Sequence, residues 1–271
     1  MASLDIEKGN ITPVLKKKKN NKLAKLILKS GLIGWVVILL VWQIASMFSD
    51  PMFLPSPYLT LQGAIEIASD GTLFIYMAYS FLRVLAGWTL GLIVAVPVGL
   101  LIGTNKYVRT VLEPVINFVR FIPPLAFITL FMLWFGIGEQ SKVFLIVYAT
   151  FFVITINTLT GVLSISKDKL LSAKSMGATK FQTLIHVVIP ATIPYIFTGA
   201  KLAMGSSFMA IVGAEMVAAN EGIGFMIWNA RLYFKTDWIF VGLVVLGLMG
   251  FLMDRIFGYA GRKLLARYKV V

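Results

Sequence analysis

Apolar residues along this chain come in long blocks, separated by short polar intervals. The blocks fall at about Leu32–Met47, Tyr76–Gly103, Val111–Phe135, Val143–Leu163, Ile193–Val212 and Trp238–Phe257. Each is close to the roughly 20 residues that a helix needs to cross the hydrocarbon of a bilayer. The strict alternation of a membrane barrel is absent. Backbone facing lipid must close its hydrogen bonds within its own segment, so the pattern predicts an all-α polytopic membrane protein with six transmembrane helices. The stretch Phe225–Phe234 is too short to span.

The intervals refine this frame. Between the first two blocks, Ser49–Gly71 contains Pro51, Pro55 and Pro57 and no Lys or Arg, and the prolines force an extended entry. A short helix over about Tyr58–Ala68 follows. The third block is interrupted by Pro123-Pro124, which removes two amide donors and must kink or break the helix. The residues beyond the prolines cover only about 18 Å at 1.5 Å per residue, so the part carrying Arg120 must help to cross or skirt the membrane. Gly136 and Gly138 then form a tight turn before Glu139, and Asn220–Gly224 reads as an outer loop or partly re-entrant turn.

Charge orients the blocks. With 58% hydrophobic and 14% charged residues, the chain lies far from soluble proteins, where about a quarter of residues are charged. The net charge of +13 is concentrated in the tails and in alternate intervals, which signals topology and places both termini in the cytoplasm. Residues 1–30, with eight lysines, form a basic cytoplasmic tail suited to anionic lipid, ahead of an uncleaved first helix. Residues 31–258 form the transmembrane domain and 259–271 a second basic tail. Nucleic acid is not a predicted partner.

The chemistry available is narrow. There is no cysteine and one histidine, His186, so thiol chemistry and a multi-histidine metal site are excluded. His186 reads as a structural hydrogen-bonding side chain. No phosphate-binding loop of the G-x-x-x-x-G-K-[ST] type is present, so any nucleotide belongs to another chain. Charges inside spans are costly and mark function. Arg120, Lys201 and Glu215 are the candidates for a solute pathway, against the alternative of internal ion pairing, as between Glu215 and a basic residue. Arg83, near the outer end of its block, reads as snorkelling to the interface. Gly199, Ala200, Ala203, Gly205, Ser206 and Ser207 read as a surface for close helix packing.

One interval stands apart. Ser164–Pro190 is long, basic and still helical in its periodicity. Leu170, Leu171, Ala173 and Met176 fall on or near one stripe, with Lys167, Lys169 and Lys174 in more polar directions. Gly177 permits a turn, and Thr179 can cap a second short helix ending before Pro190. The product is a cytoplasmic helix–turn–helix elbow whose apolar knob faces away from the bundle and suits a groove on another protein.

These residues carry a resemblance. Ser172-Ala173-x-x-x-Gly177, followed by Val187, Ile189 and Pro190, is similar to the EAA motif of permease subunits in bacterial ATP-binding-cassette (ABC) importers. Leu171 stands where that family usually has glutamate, and Ser172 where it usually has the first alanine. Leu54-Pro55-Ser56-Pro57, Arg120-Phe-Ile-Pro123-Pro124-Leu-Ala, Trp134-Phe-Gly-Ile-Gly-Glu139-x-Ser141-Lys142 and Gly213-Ala-Glu215-Met resemble, in order, the permeases for nitrate, bicarbonate, taurine and aliphatic sulfonates.

The resemblance implies a type I importer permease fold in a bacterial inner membrane, and import of a small anion by alternating access. Permeases for thiamine-precursor pyrimidines or other small organic solutes are the alternative, and an ATP-independent channel a more distant one. It implies Leu170, Leu171, Ser172, Ala173, Met176, Gly177, Ala178 and Thr179 as the coupling contact. It also implies two ATP-binding subunits that hold ATP and magnesium, a second and identical permease copy, and an extracytoplasmic solute-binding protein. No cofactor, metal or catalytic residue is expected in this chain.

Overall fold

The protein is described as a computed structural model covering residues 32–266; the basic tail expected at 1–30, and Arg267 and Lys269 at the other end, lie outside the described residues. No strand forms among the described residues. The helices are α1 (Leu32–Met47), α2 (Pro57–Ser69), α3 (Thr72–Thr104), α4 (Lys106–Val119), α5 (Ile128–Phe135), α6 (Glu139–Leu163), α7 (Lys167–Ser175), α8 (Lys180–Thr183), α9 (Ile189–Ala218), α10 (Ile223–Leu232) and α11 (Thr236–Leu265). A 3₁₀ turn at Pro124–Phe127 precedes α5, and a π turn at Leu184–Val188 joins α8 to α9.

Four helices among the described residues are long and apolar enough to cross a membrane: α3, α6, α11 and the continuous run Lys180–Ala218. Helices α4 and α5 make a fifth if taken together, but they are bent by 90° at the break. The described part of α1 has 16 residues and packs on α11 through Trp42 stacked on Phe240 and Trp35 edge-on to Phe251. Of the six expected spans, four continuous ones and one broken one are long enough among the described residues. The prolines do more than kink the third block: its first half, α4, runs at right angles to the second.

The centre of the molecule is a seam between α3 and α6. Gly87, Gly91, Ala95, Gly99 and Gly103 recur every four residues on α3, a ridge without side chains that lets a neighbouring backbone approach. Opposite them lie Ile146, Thr150, Thr155, Thr158 and Val162 of α6, in the same order along the chain, so the two helices run parallel. A Cβ at Gly99 would sit 2.6 Å from the Thr158 Cβ and 2.9 Å from the Thr155 carbonyl oxygen. Helix α9 packs antiparallel on the other side of α6, with Gly199 against Asn157 and Ile154. Of the small residues expected to pack here, Ala200, Ala203 and Ser207 are buried, whereas Gly205 faces open space.

The two ends of this bundle differ. At one end α2 and α10 lie across the tops of the long helices. Ser56 caps α2 by accepting from the Leu59 amide, and Pro57 takes the first turn, where its missing N–H costs nothing. At the other end α7 and α8 project from the bundle. The α7–α8 unit does not stop before Pro190 as the sequence suggests; α8 runs on through the π turn into α9. Pro190 has no N–H, and its ring would clash with the carbonyl of residue 186 in a regular α-helix. The wider π turn, in which the Ile189 amide reaches the Leu184 carbonyl, absorbs that defect without ending the helix.

Candidate functional site

Three places concentrate chemistry: the projecting elbow, a buried charge cluster at the α2/α10 end, and a cavity beside the broken helix.

The elbow is built by local hydrogen bonding. Helix α7 ends in a Schellman turn: the Ala178 amide reaches the Ala173 carbonyl at 3.1 Å and the Gly177 amide the Lys174 carbonyl at 3.0 Å. This requires the left-handed φ of +76° at Gly177, which a residue with a Cβ resists. Two residues on, Thr179 and Gln182 form a reciprocal capping box that starts α8. The outcome is a rigid corner with an apolar tip: Leu171 is 59% exposed and Met176 86%, and Phe181 on α8 is exposed beside them. Ser172 and Thr179 are exposed, Ala173 and Ala178 half-buried, and Leu170 lies at the edge of exposure. His186 sits in the π turn with Nδ1 3.0 Å from the Gln182 carbonyl oxygen.

The charge cluster ties five segments together. Glu215 of α9 has no exposed surface and Arg83 of α3 has 5%. Arg83 donates from Nη1 to Glu215 at 2.8 Å, from Nε and Nη2 to the two oxygens of Glu139 at 2.6 and 2.7 Å, and to the Glu221 carbonyl. Lys142, buried one turn along α6, donates to Glu139 at 2.9 Å. The Ser80 hydroxyl donates to Glu215 and accepts from the Ile223 amide, while the Gly224 amide donates to Glu215 at 2.9 Å. Two anions thus balance two cations, and the first amides of α10 end on the cluster, where a negative charge is favoured.

Gly222, at φ +122°, leaves the space that the Glu215 carboxylate fills. The snorkelling expected of Arg83 is therefore wrong: its guanidinium turns inward because three acceptors there replace the water it would otherwise seek. The sequence does carry a sign of this, in the i,i+3 polar pairs Ser80 and Arg83 on one apolar block and Glu139 and Lys142 at the start of another. What it lacks is the information that the two pairs meet.

The cavity has a volume of about 570 Å³ and lies between the 120–125 turn, α6 and α9. Arg120, Phe121, Tyr148, Asn157 and Ser206 line it. Of the three charges expected on a pathway, only Arg120 is here. Its guanidinium stacks over Phe121 at 4.6 Å from the ring centroid and makes no ion pair among the described residues. Glu215 belongs to the buried cluster, and Lys201 pairs with Asp254 of α11 at 2.9 Å; neither lines the cavity.

Long apolar helices thus stand beside a broken one, and an open cavity between them is lined by one cation among the described residues. The chain belongs to the family of binding-protein-dependent transport system inner membrane components, whose model matches residues 87–266. It is 35% identical over 230 residues to the taurine transport system permease protein of Escherichia coli (strain K12), covering 82% of this chain and 84% of that one. The aliphatic sulfonates transport permease protein of Bacillus subtilis (strain 168), itself a putative assignment, is 31% identical, covering 87% and 86%. The nitrate import permease protein of Synechocystis sp. is 32% identical, covering 84% and 86%.

Among solved structures, the inward-facing MetNI methionine ABC transporter aligns with a TM-score of 0.52 at 19% identity, covering 78% of this chain and 98% of that one. That likeness establishes the fold, and the chain is an ABC-transporter permease with that fold.

Proposed function

We propose that this chain is the translocating subunit of an ATP-driven importer for a small anionic solute, coupled through the α7–α8 elbow to a separate ATPase. The observation that carries the reading is the elbow tip. Leu171, Met176 and Phe181 stand exposed on a corner held rigid by two local motifs, and exposed apolar clusters of this kind mark protein contacts. Phe181 of the tip lies on the 39-residue run Lys180–Ala218, which also carries Ser206, Met209 and Ala210 of the cavity wall, so a push on the elbow reaches that wall.

On this reading the elbow and both termini are cytoplasmic. Two ATP-binding subunits with bound ATP and magnesium dock on two elbows, one from each of two identical permease copies, and a solute-binding protein delivers solute at the α2/α10 end. Opening and closing then follow from two packings that the ATPases bias. Relatives named for taurine, sulfonates and nitrate, together with Arg120 at the cavity, favour an anion. The test is co-purification and ATP-dependent uptake of candidate anions in liposomes. Met176→Glu should leave the permease monodisperse and abolish ATPase association; retained association would refute the coupling role of the elbow.

A further inference from the structure

The same helix-ending motif occurs at both ends of the bundle, with different residues at its critical position. At the elbow, Gly177 takes the left-handed φ that closes α7. At the end of α10 the Lys235 amide reaches the Ala230 carbonyl at 3.0 Å and the Phe234 amide the Arg231 carbonyl at 3.3 Å, again a Schellman turn. There the left-handed position is held by Phe234, at φ +55°, the one residue other than glycine with a positive φ among the described residues. A Cβ disfavours that conformation, and glycine would relieve it. A bulky residue kept in a strained place implies a task for its side chain. That task lies outside the packing of the chain itself, because Phe234 is 71% exposed.

The surroundings of Phe234 identify what it meets. The Thr236 hydroxyl donates to the Met52 carbonyl at 2.6 Å, which stitches the α10–α11 turn to the loop after α1. The two segments together expose Phe48, Phe53, Leu232, Tyr233 and Phe234. The patch continues into the apolar flanks of α1 and α11, where Val37, Leu40, Leu243 and Leu252 are exposed and aromatic stacking holds the two helices side by side. Such a flank on a spanning helix faces acyl chains, and rings at its end sit at head-group level.

Charge completes the patch. The exposed Arg231 holds its guanidinium over the Trp228 ring, 4.9 Å from the centroid, and makes no ion pair among the described residues. Lys235 lies over Trp238 at 3.8 Å and 3.3 Å from Glu66, so its charge is engaged within the fold and braces the turn. One cation beside a set of exposed rings fits a phosphodiester above an acyl chain.

We propose that the α10–α11 turn and the loop after α1 form a phospholipid site at the membrane interface opposite the elbow. Phe53, Tyr233 and Phe234 enter the upper acyl region, and Arg231 contacts the head-group phosphate. The proposal goes beyond the importer reading and does not depend on the solute.

A chain without cysteine allows a direct test. Phe53→Cys, Phe234→Cys and, as a reference at the exposed end of α2, Asp70→Cys are each labelled with bimane in the importer reconstituted into vesicles containing phosphatidylglycerol. A nitroxide near the carbonyl end of the lipid chains should quench the labels at 53 and 234 about threefold more than the label at 70, and aqueous iodide should do the reverse. In detergent, phosphatidylglycerol should raise the melting temperature of the unsubstituted chain. Arg231→Gln should raise the lipid concentration giving half of that rise about fivefold, the worth of one basic residue at an anionic surface, and Arg231→Lys should keep most of the response. Phe234→Gly should leave the melting temperature without lipid no lower, because the turn is relieved, yet should shrink the rise that lipid produces. A merely structural role for Phe234 would instead lower the melting temperature without lipid.

Equal quenching from the lipid at 53, 70 and 234, or an undiminished response in Arg231→Gln, would overturn the proposal. So would equal stabilisation by inorganic phosphate. Shielding from iodide that arises only when the solute-binding protein is added would make the patch a protein contact instead.

Discussion

The α3–α6 seam and the α4–α5 break are neighbours in the same bundle and are stabilised in opposite ways. Along the seam, four glycines and Ala95 at every fourth position bring two parallel backbones together over five successive contacts, and the Arg83–Glu139–Glu215 cluster closes the α2/α10 end. Along the break there is no buried residue in α4 or α5, and the turn between them is held by a few short backbone hydrogen bonds, the Tyr148 hydroxyl, Phe127 against the Tyr148 ring and Leu125 against Gly213. Close packing distributes stability over many small contacts, so no single position moves alone. The break depends on a handful of separate contacts instead.

The largest test of this contrast is Glu215→Ala. It leaves the buried Arg83 with the partly exposed Glu139 as its remaining carboxylate, and should cost about 4 kcal/mol of stability in detergent denaturation. A cost below about 1 kcal/mol would mean that the cluster is not what closes that end. Next is Gly99→Val, which drives a side chain into Thr158 and the Thr155 carbonyl and should cost about 3 kcal/mol. At the break, Tyr148→Phe should cost only about 1 kcal/mol, the net worth of one neutral hydrogen bond, in the same assay. If Tyr148→Phe destabilised as much as Gly99→Val, the contrast would fail. Smallest is Thr179→Ala at the elbow cap, about 1 kcal/mol at most and local to α8, visible as faster amide exchange at Gln182 rather than as a lower melting point.

The elements themselves were largely legible in the sequence. The apolar blocks gave the long helices, and the start of α2 within a residue, because period and length are local properties. Gly177 and Thr179 disclosed the elbow for the same reason: a Schellman turn and a capping box are each written within six residues. The continuity of α8 with α9 was not legible, since a proline reads as a stop unless a π turn is known to absorb it.

Arg83 was misread because its three acceptors lie on α6, α9 and the loop before α10, and no local pattern says that these converge. For the same reason Glu215 and Lys201, equal candidates with Arg120 by type, proved to be engaged with partners on other helices, whereas Arg120 faces the cavity. Tyr148 carried no signal at all in the chain: an aromatic in an apolar helix is expected to be packing, and only the fold brings its hydroxyl to the Val119 and Ile122 carbonyls.

The π turn at Leu184–Val188 fixes the azimuth of the elbow about the axis of α9. One additional residue is accommodated in that turn relative to an α-helix, so deleting a single residue within it would restore regular winding with the azimuth of the elbow nearly unchanged, whereas winding the same residues as regular α-helix would swing Met176 by about 100° around that axis. The direction in which the elbow points thus depends on the turn staying π-wound, independently of the residues that form its tip.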